Sequence, residues 1–390
     1  MRGEGEREGV GVIFHPSLDP LPSREGRFRI PRTGSSIWVR SGNKVEIGRR
    51  TFLYLSGVFA SAFGIGGRFG GVKVLMKATV KEQMPRHTEN LFRTNGKSLV
   101  SIAHGKDVKT LVRDAVTAIG GLGRMEIKRK TVLVKPNVLS GRKKPTTTNP
   151  DVVRETVKLL YEHGASKVFV GDMSALWKLP TRENMERTGI TKAAHDAGAE
   201  VIFFEDHDWI KVKLEKGKYI REVDVSEWIF KVDRVINLPV IKTHHSAQYS
   251  ICLKNFVGAT NFRQRPYFVD VRHWEEVVAE INLAYAPDLN IVDGTRIMVE
   301  GGPWEGKEEE TDLVIASGDR VAADVVGVAL IKSFGLWRDA PKTPWQARQI
   351  KRAVELGLGA GNREEMKLVA APPEEGRDFA DLIRKIEDMI

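Results

Sequence analysis

Charged and amide side chains follow several of the predicted strands, at positions where they could share one site. In open parallel sheets, ligands bind outside the carboxyl ends of the strands. Lysine, asparagine, aspartate and histidine are the groups that hold an anionic or metal-bound ligand in a pocket. We predict a shared site from the residues at these strand ends, which are, in chain order, Lys135, Asn137, Asp172, Asn237, Lys242, His244, Asp293 and Gly294.

Three of these residues are predicted to be catalytic. Lys135 is a candidate anion clamp or, if desolvated, a base or Schiff-base former, and the alternative is a surface lysine at a strand end. His244 is the preferred acid or base, or a metal ligand. Lys242 is predicted to act beside them by neutralising an anionic substrate.

The segment "NLPVIKTHHSAQYSICLKNFVGA", residues 237–259, is the densest polar part of the chain after the leader. It adds Lys254 and Asn255 to the candidate site. Its two adjacent histidines do not have the spacing of a zinc-protease helix, so they give little support for a metal. The predicted ligand-binding residues are Asn137, Asn237, Lys254, Asn255 and Gly294.

Two carboxylates at strand ends are candidates for holding a divalent cation. Asp172 and Asp293 could ligate a metal or orient a base, and either could instead only cap the helix that follows it. The N-terminal amides of the helix that begins at Asn149 could receive a phosphate or a carboxylate, with an ordinary capped helix as the alternative. A metal-assisted reaction on a small anion is therefore one expectation.

Several classes of protein are excluded by missing motifs. No GxGxxG fingerprint follows a strand, and the chain has neither a GxxxxGK[ST] loop nor a GxSxG elbow. Cys252 is the only cysteine. One thiol excludes an intramolecular disulfide and an iron–sulfur cluster held by this chain alone. The apolar neighbours of Cys252 indicate a buried small hydrophobe rather than a nucleophile.

The elements that must position these residues alternate between strands and helices. This alternation predicts an α/β fold, a doubly wound and mainly parallel sheet with helices on both faces, which could divide into two lobes near residues 245–270. The predicted strands include "TVLVKPN" (131–137), "KVFVGD" (167–172), "EVIFFED" (200–206), "RVINLPVIK" (234–242), "LNIVDG" (289–294) and "TDLVIASGD" (311–319). The α/β body is expected over residues 97–372, followed by a C-terminal helix over 373–390.

The positive charge belongs to the leader and not to the body. The chain has a formal net charge of +10, with 61 Lys+Arg and 51 Asp+Glu. Residues 1–95 hold 16 Lys+Arg and 8 Asp+Glu, a net of +8, so the remaining residues have a net of only +2. A nearly neutral body without a basic face interleaved with aromatics argues against nucleic acid as a partner.

The leader contains an export-like motif. The residues Arg49, Arg50, Phe52 and Leu53 are similar to the twin-arginine signal, and an uncharged run follows them. An arginine pair before an amphipathic helix or strand is the alternative. We expect export across the cytoplasmic membrane by the twin-arginine machinery, with anchoring if the leader stays uncleaved. The expected segments are a non-native or disordered extension (1–44), the signal (45–67) and a linker (68–96).

The succession of motifs resembles one family. "VLVKPNV", "NPDVVRETVKLLYEHGASKVFVGD", "VINLPVIKTHHSAQYSICLKNFVGA", "PDLNIVDG", "EGGP" and "ASGDRVAADVVG" together resemble domain of unknown function 362, from about residue 98 to 370. The resemblance implies that recurring motifs of the family contain Lys135, Asn137, Asp172, Lys242, His244, Lys254, Asn255, Asp293 and Asp324. Members often carry twin-arginine leaders and cysteine clusters for iron–sulfur centres, and this chain departs from the second property.

Two functions of different classes follow from the sequence. The first is an exported α/β enzyme acting on a small carboxylate or phosphate, in which lysines bind the anion and His244 moves a proton. The second is a non-catalytic accessory or ligand-binding protein that partners an iron–sulfur redox subunit. Twin-arginine export carries folded proteins, often with a cofactor inserted, which favours a bound metal or organic cofactor.

Overall fold

Short runs rich in valine and isoleucine, separated by helical segments, form the strands of this protein. A computed structural model describes residues 35–38, 44–47, 79–269, 272–371 and 377–390. The predicted export signal, with Arg49, Arg50, Phe52 and Leu53, lies outside these described residues. The same holds for most of the predicted upstream extension and for the first part of the predicted linker.

The chain divides into two units. One contains the antiparallel hairpin of β1 (Ser35–Trp38) and β2 (Lys44–Ile47). The other comprises Lys73–Phe268 and Arg272–Ile390. This second unit contains the large sheet and all of the predicted site residues, and among its described residues no further division separates two lobes.

The second unit is built on a large mixed sheet and a small one. The large sheet has eleven strands. Eight of them have the order β16-β5-β15-β14-β11-β6-β7-β8; of the other three, β12 pairs with β14 and β13, and β4 pairs with β5. The small sheet has the order β10-β9-β3. The strands are β3 (Thr79–Gln83), β4 (Arg93–Thr94), β5 (Lys97–His104), β6 (Thr131–Pro136), β7 (Lys167–Asp172), β8 (Glu200–Phe203), β9 (Trp209–Lys213), β10 (Glu222–Ser226), β11 (Arg234–Leu238), β12 (Val240–His244), β13 (Gln248–Ser250), β14 (Leu289–Gly301), β15 (Gly306–Ser317) and β16 (Met366–Ala371).

Most neighbouring strands in the large sheet run parallel. β14, β11, β6, β7 and β8 form a continuous parallel block, and β16 is parallel to β5. The long hairpin of β14 and β15 is antiparallel, as is the pair of β15 and β5. The predicted α/β class with a mainly parallel sheet is therefore confirmed. The carboxyl ends of β6, β7 and β11 meet at one edge, which is where the candidate site residues stand.

Helices cover the large sheet and are connected to it by loops. The helices are α1 (Val108–Ala118), α2 (Pro150–Glu162), α3 (Thr181–Thr188), α4 (Ile190–Asp196), α5 (Trp228–Lys231), α6 (Cys252–Asn255), α7 (Arg265–Phe268), α8 (Trp274–Ile281), α9 (Arg320–Ser333), α10 (Arg348–Glu355) and α11 (Arg377–Met389). Among the described residues, no helix combines the length and apolar character needed to span a bilayer.

The core lies between the sheet and its helices. One apolar cluster joins the inner sides of α1, α2 and α4 to alternate strand residues such as Val132, Val134 and Ile236. The intervening residues Leu133 and Val235 are equally buried, because α6 packs on the other face of β11 and α9 on that of β14. Near-continuous apolar strands are typical of parallel sheets that are covered on both faces.

Two helices begin as their sequences predict. The Asp107 carboxylate accepts hydrogen bonds from the backbone amides of Lys109 and Thr110 at the start of α1. The Asn149 side chain caps α2 by accepting from the amide of Asp151, and Pro150 occupies the first helical position. The cap of α2 matters for the site, because the loop before it contributes an acceptor there.

Part of the segment predicted as a linker belongs to the folded unit. Residues 79–83 form β3, which pairs in parallel with β9, and Arg93–Thr94 pairs with β5. The expected division near residues 245–270 is not found among the described residues. The reason is that β12 returns to the large sheet by pairing with both β13 and β14, so the polar segment is integrated into the body.

Candidate functional site

The centre of the candidate site is a buried ion pair between two neighbouring parallel strands. Lys135 at the end of β6 and Asp172 at the end of β7 place Nζ and Oδ1 2.7 Å apart. Their side chains are 0% and 3% exposed. Burial lowers the pKa of Lys135, and the Asp172 carboxylate opposes that shift. The second carboxylate oxygen of Asp172 accepts from the backbone amide of Val138 at 2.7 Å, which fixes the loop after β6.

Gly258 and Arg265 lie next to this ion pair. A Cβ added to Gly258 would lie closer than 3.0 Å to Asp172 Oδ1 and to Lys135 Nζ. Arg265 is buried and donates to the carbonyl oxygens of Ser174 and Gly258 at 2.8 and 3.1 Å. Burial lowers the pKa of Arg265 to about 10. The glycine therefore provides the space in which the ion pair forms.

Replacing Gly258 with alanine should separate the Lys135–Asp172 pair, because the new methyl group would overlap both charged atoms. We expect a loss of about 1–3 kcal/mol in the free energy of unfolding, the usual cost of overpacking. Urea denaturation measures it. Gly123→Ala is the matched control, since nothing lies within 4 Å of its added Cβ. Equal effects of the two substitutions would contradict the packing argument.

Lys242 is buried and bonded only to neutral oxygens among the described residues. Its Nζ donates to Asn137 Oδ1 at 2.8 Å and to the Thr146 carbonyl at 2.7 Å. Burial and the positive charge of Lys254 hold the pKa of Lys242 well below the usual lysine value. With two N–H groups donated to these acceptors, a neutral amine at this position keeps its lone pair for a ligand.

Four asparagines form a directed chain of hydrogen bonds behind Lys242. Asn137 Nδ2 donates to Asn255 Oδ1 at 2.9 Å, and Asn255 donates to Asn237 Oδ1 at 2.8 Å. Asn237 then donates to Asn290 Oδ1 at 2.9 Å, and Asn290 donates to the carbonyl of Ser317. Each amide is oriented by the next, so the chain holds Asn137 Oδ1 toward the ammonium of Lys242.

Lys254 and His244 are, with Asn137, the partly exposed members of the site. The Lys254 ammonium lies over the ring of Trp274, 5.2 Å from its centroid. Desolvation, with added repulsion from Arg265, lowers the pKa of Lys254 to about 7. Desolvation and the charge of Lys254 also hold the pKa of His244 well below its usual value. His244 is therefore neutral at neutral pH.

The hydrogen bonds of His244 indicate where its ring proton lies. The Ser246 backbone amide donates to His244 Nδ1 at 3.3 Å. Nδ1 is then the acceptor, and the proton of the neutral ring is on Nε2. The neighbouring ring of His245 stacks on His244 with centroids 5.3 Å apart, while its own Nδ1 contacts the Gly302 carbonyl at 2.9 Å.

Asp293 and Gly294 stand in a separate structural arrangement. The Asp293 carboxylate accepts from the Asn149 amide at 2.7 Å and from the Thr295 hydroxyl at 2.7 Å, which ties β14 to the start of α2. Burial raises the pKa of Asp293. Gly294 faces the Leu313 carbonyl of β15, 3.1 Å from an added Cβ. Both positions support the site from outside it.

The described residues contain no group of three or more His, Cys, Asp or Glu side chains that could hold a metal ion. The oxygens of Asp172 and Asp293 are already bonded to protein donors. A cation at either carboxylate would have to displace those donors. The arrangement is instead rich in lysine and amide groups, which bind anions.

Asp324, from the last family-like motif, supports the segment that carries Lys254 and Asn255. Its carboxylate accepts from the Cys252 amide at 2.7 Å and from the Tyr249 hydroxyl at 3.0 Å. Burial raises the pKa of Asp324 to about 7. Cys252 is buried, in agreement with the prediction of a small hydrophobe.

Sequence reasoning missed several contributors to the site. Arg265 has no strand-end position, and only the folded chain brings it to the lysines. Asn290 could have been found, because an asparagine inside the apolar strand "LNIV" needs a buried partner. The sequence signal for Gly258 is only that it follows Lys254 and Asn255 by a few positions.

The sequence profile described as "Domain of unknown function (DUF362)" matches residues 132–329, about half of the chain. The protein belongs to this family. The matched DUF362 region contains every site residue described above from Lys135 to Asp324. The assignment confirms the family resemblance inferred from the motifs.

Individual relatives of this DUF362 chain are distant. A thylakoid-associated protein of Synechocystis sp. is 28% identical over 228 residues, which cover 55% of this chain and 67% of that protein. The lactate racemase apoprotein from Thermoanaerobacterium thermosaccharolyticum is 12% identical, with a TM-score of 0.33, over 56% of this chain and 54% of that one. A Thermotoga maritima protein is 12% identical, with a TM-score of 0.37, over 73% of this chain and 91% of that one.

Proposed function

We propose that this protein is an enzyme that binds a small carboxylate or phosphate and transfers a proton on it. The supporting observation is an excess of buried or desolvated basic side chains contributed by β6, β12, α6 and α7. Among the described residues, Asp172 and Glu205 are the acidic groups whose charge raises the pKa of any of these side chains. The basic side chains are Lys135, Lys242, Lys254 and Arg265.

An anion is the ligand that such a set of groups favours. Burying charge without a partner is costly, and the lowered pKa values of Lys254 and Lys242 reduce that cost. A bound anion replaces the missing partner. Because Lys135 is already paired with Asp172, the proposal gives anion binding mainly to Lys254 and leaves Lys242 for proton transfer.

The remaining groups supply proton transfer. The neutral amine of Lys242, held by Asn137 and the Thr146 carbonyl, is positioned to accept a proton. The Nε2–H of His244 is a donor for an oxygen of the substrate. Lys254, with its pKa of about 7, can return a proton at neutral pH.

The location and partners of this enzyme are part of the same proposal. The twin-arginine-like residues Arg49 and Arg50 favour export across the cytoplasmic membrane. The single Cys252 means that an iron–sulfur centre would belong to a partner subunit. Neither point is needed for anion binding or proton transfer.

Sulfate binding and deuterium exchange test the proposal. We expect sulfate to bind in titration calorimetry and Lys254→Met to weaken it at least tenfold, while Lys158→Met, an exposed position on α2, leaves it unchanged. For the reaction, a panel of 2-oxo and 2-hydroxy acids is incubated in D₂O and followed by proton NMR. We expect exchange at one carbon-bound position, abolished in Lys242→Met and reduced in His244→Ala.

Two results would overturn the proposal. Absence of sulfate binding at millimolar concentration and pH 6 would remove its basis. Binding without exchange on any acid of the panel would leave a ligand-binding module, as in the non-catalytic alternative. Far-ultraviolet circular dichroism of Lys242→Met and His244→Ala separates loss of chemistry from loss of folding.

A further inference from the structure

The tip of the β14–β15 hairpin lies over the candidate site. The backbone amide of His245 donates to the Gly302 carbonyl at 3.2 Å, and a Cβ on Gly302 would clash with the Thr243 carbonyl, so the tip is held against β12. The Trp304 carbonyl accepts from Arg142 at 3.0 Å and from the Thr146 hydroxyl at 3.5 Å. This tip therefore contacts both the end of β12 and the loop after β6.

A single residue, Thr146, connects Trp304 to Lys242 by hydrogen bonds. The Thr146 hydroxyl donates to the Trp304 carbonyl, and the Thr146 carbonyl accepts a hydrogen bond from Lys242 Nζ at 2.7 Å. The backbone of Trp304 thus lies beside the loop that contains Thr146 and contacts Lys242.

A second tryptophan extends this aromatic surface. Trp177, in the loop after β7, has its ring centroid 6.2 Å from that of Trp304, with the planes tilted by 46°. It is 48% exposed, and Met84 is the other large apolar side chain exposed among the described residues. Lys178 Nζ lies over the Trp304 ring at 5.8 Å, and Arg142 pairs with Glu305 at 2.5 Å. A pair of indoles, one half-exposed and the other with an ammonium beside its ring, suits a flat, negatively charged ligand.

We infer that the ligand of this site carries an aromatic ring beside its anionic group, and that Trp177 and Trp304 bind the ring. The inference rests on the proposed function, because it assigns the substrate class of the same site. The lysines bind the carboxylate or phosphate, and the tryptophan pair binds the attached ring. A ring stacked on an indole contributes enough to change affinity about tenfold or more.

Two phosphonates that differ only in the ring test the inference. Methylphosphonate and phenylphosphonate present the same anionic head, and titration calorimetry of each with the full chain gives two dissociation constants. We expect phenylphosphonate to bind about tenfold more tightly than methylphosphonate. Trp177→Ala should bring the ratio close to one by weakening only phenylphosphonate, and Trp177→Phe should keep most of the preference.

Each outcome separates this inference from the proposed function. Binding of both probes with equal affinity would overturn the aromatic ligand and leave anion binding intact. No binding of either probe would overturn the proposed function as well. A preference for phenylphosphonate that persists in Trp177→Ala would place the ring elsewhere and overturn the assignment. Met84→Ala, at the other exposed apolar position, is the matched control and should leave the ratio unchanged.

Discussion

Asp172→Asn should destabilise the protein by about 3–5 kcal/mol, the usual cost of removing one partner of a buried ion pair. The side chains of Lys135 and Asp172 are almost fully buried and 2.7 Å apart, so the substitution leaves an ammonium inside the protein without a counter-charge. Urea denaturation at pH 7 measures the loss. Because the neighbouring strands β6 and β7 both end here, the effect should be cooperative unfolding of the whole unit and not fraying of a loop.

The penalty should also depend on pH in a definite direction. Burial already lowers the pKa of Lys135, and removing the carboxylate lowers it further. Above that lowered pKa, the unfolded chain binds more protons than the folded chain, so stability rises with pH. The difference between the variant and the original protein should therefore shrink by up to about 1.4 kcal/mol per pH unit between the Lys135 pKa of the variant and the higher Lys135 pKa of the original protein, and stay constant above the latter.

Two controls show whether the effect belongs to the buried pair. Asp196→Asn removes one partner of the exposed pair between Lys192 and Asp196, also at 2.7 Å, and should change stability very little. The double variant Lys135→Met, Asp172→Leu should recover much of the loss, since an apolar pair leaves no uncompensated charge. If Asp172→Asn were as mild as Asp196→Asn, the ion pair would not contribute to folding.

The sequence predicts the position of this pair better than its chemistry. Lys135 and Asp172 end two apolar runs, and parallel strands place their carboxyl ends at one edge, so their proximity follows from the α/β pattern. That Lys135 pairs with Asp172 depends on where Gly258 and Arg265 lie in the fold. Those contacts come from residues about ninety positions later in the chain, which local patterns do not specify.

The asparagines show the same limit. Asn137, Asn237 and Asn255 are predicted to bind the ligand, and the structure bonds their amides to one another. An asparagine that binds a ligand and one that bonds another amide have similar neighbours in the sequence. Which partner it has is decided only when β6, β11 and α6 pack together. The chain of amides leaves Asn137 as the member that contacts Lys242.

Asp293 illustrates why strand ends are not equivalent. β14 continues beyond Gly294 into a long hairpin, so Asp293 lies within the strand and not at its end. Its hydrogen bond to the Asn149 amide stabilises the start of α2. The predicted strand stopped at Gly294 because glycine is usually a boundary signal, whereas here glycine allows the close approach of β15.

Sulfate binding should weaken as the pH rises through about 7. Lys254 has a pKa of about 7 in the protein, so its ammonium is present at pH 6 and largely lost at pH 9. The charge of sulfate does not change over this range, which assigns the pH dependence to the protein. If one proton on Lys254 is required, the dissociation constant should be constant below pH 6 and increase up to about tenfold per pH unit above 7.

The matched variant is Lys254→Arg, which keeps the positive charge throughout this range because a guanidinium remains protonated. Its sulfate affinity should stay nearly constant from pH 6 to 9, and Lys254→Met should bind weakly at every pH. His244 cannot produce the same profile, since its pKa is held well below the usual value and it is already neutral at pH 7. If the pH profile of sulfate binding in Lys254→Arg were identical to that of the original protein, the titrating group would be Lys242, the other desolvated amine. The roles proposed for the two lysines, binding and proton transfer, would then be reversed.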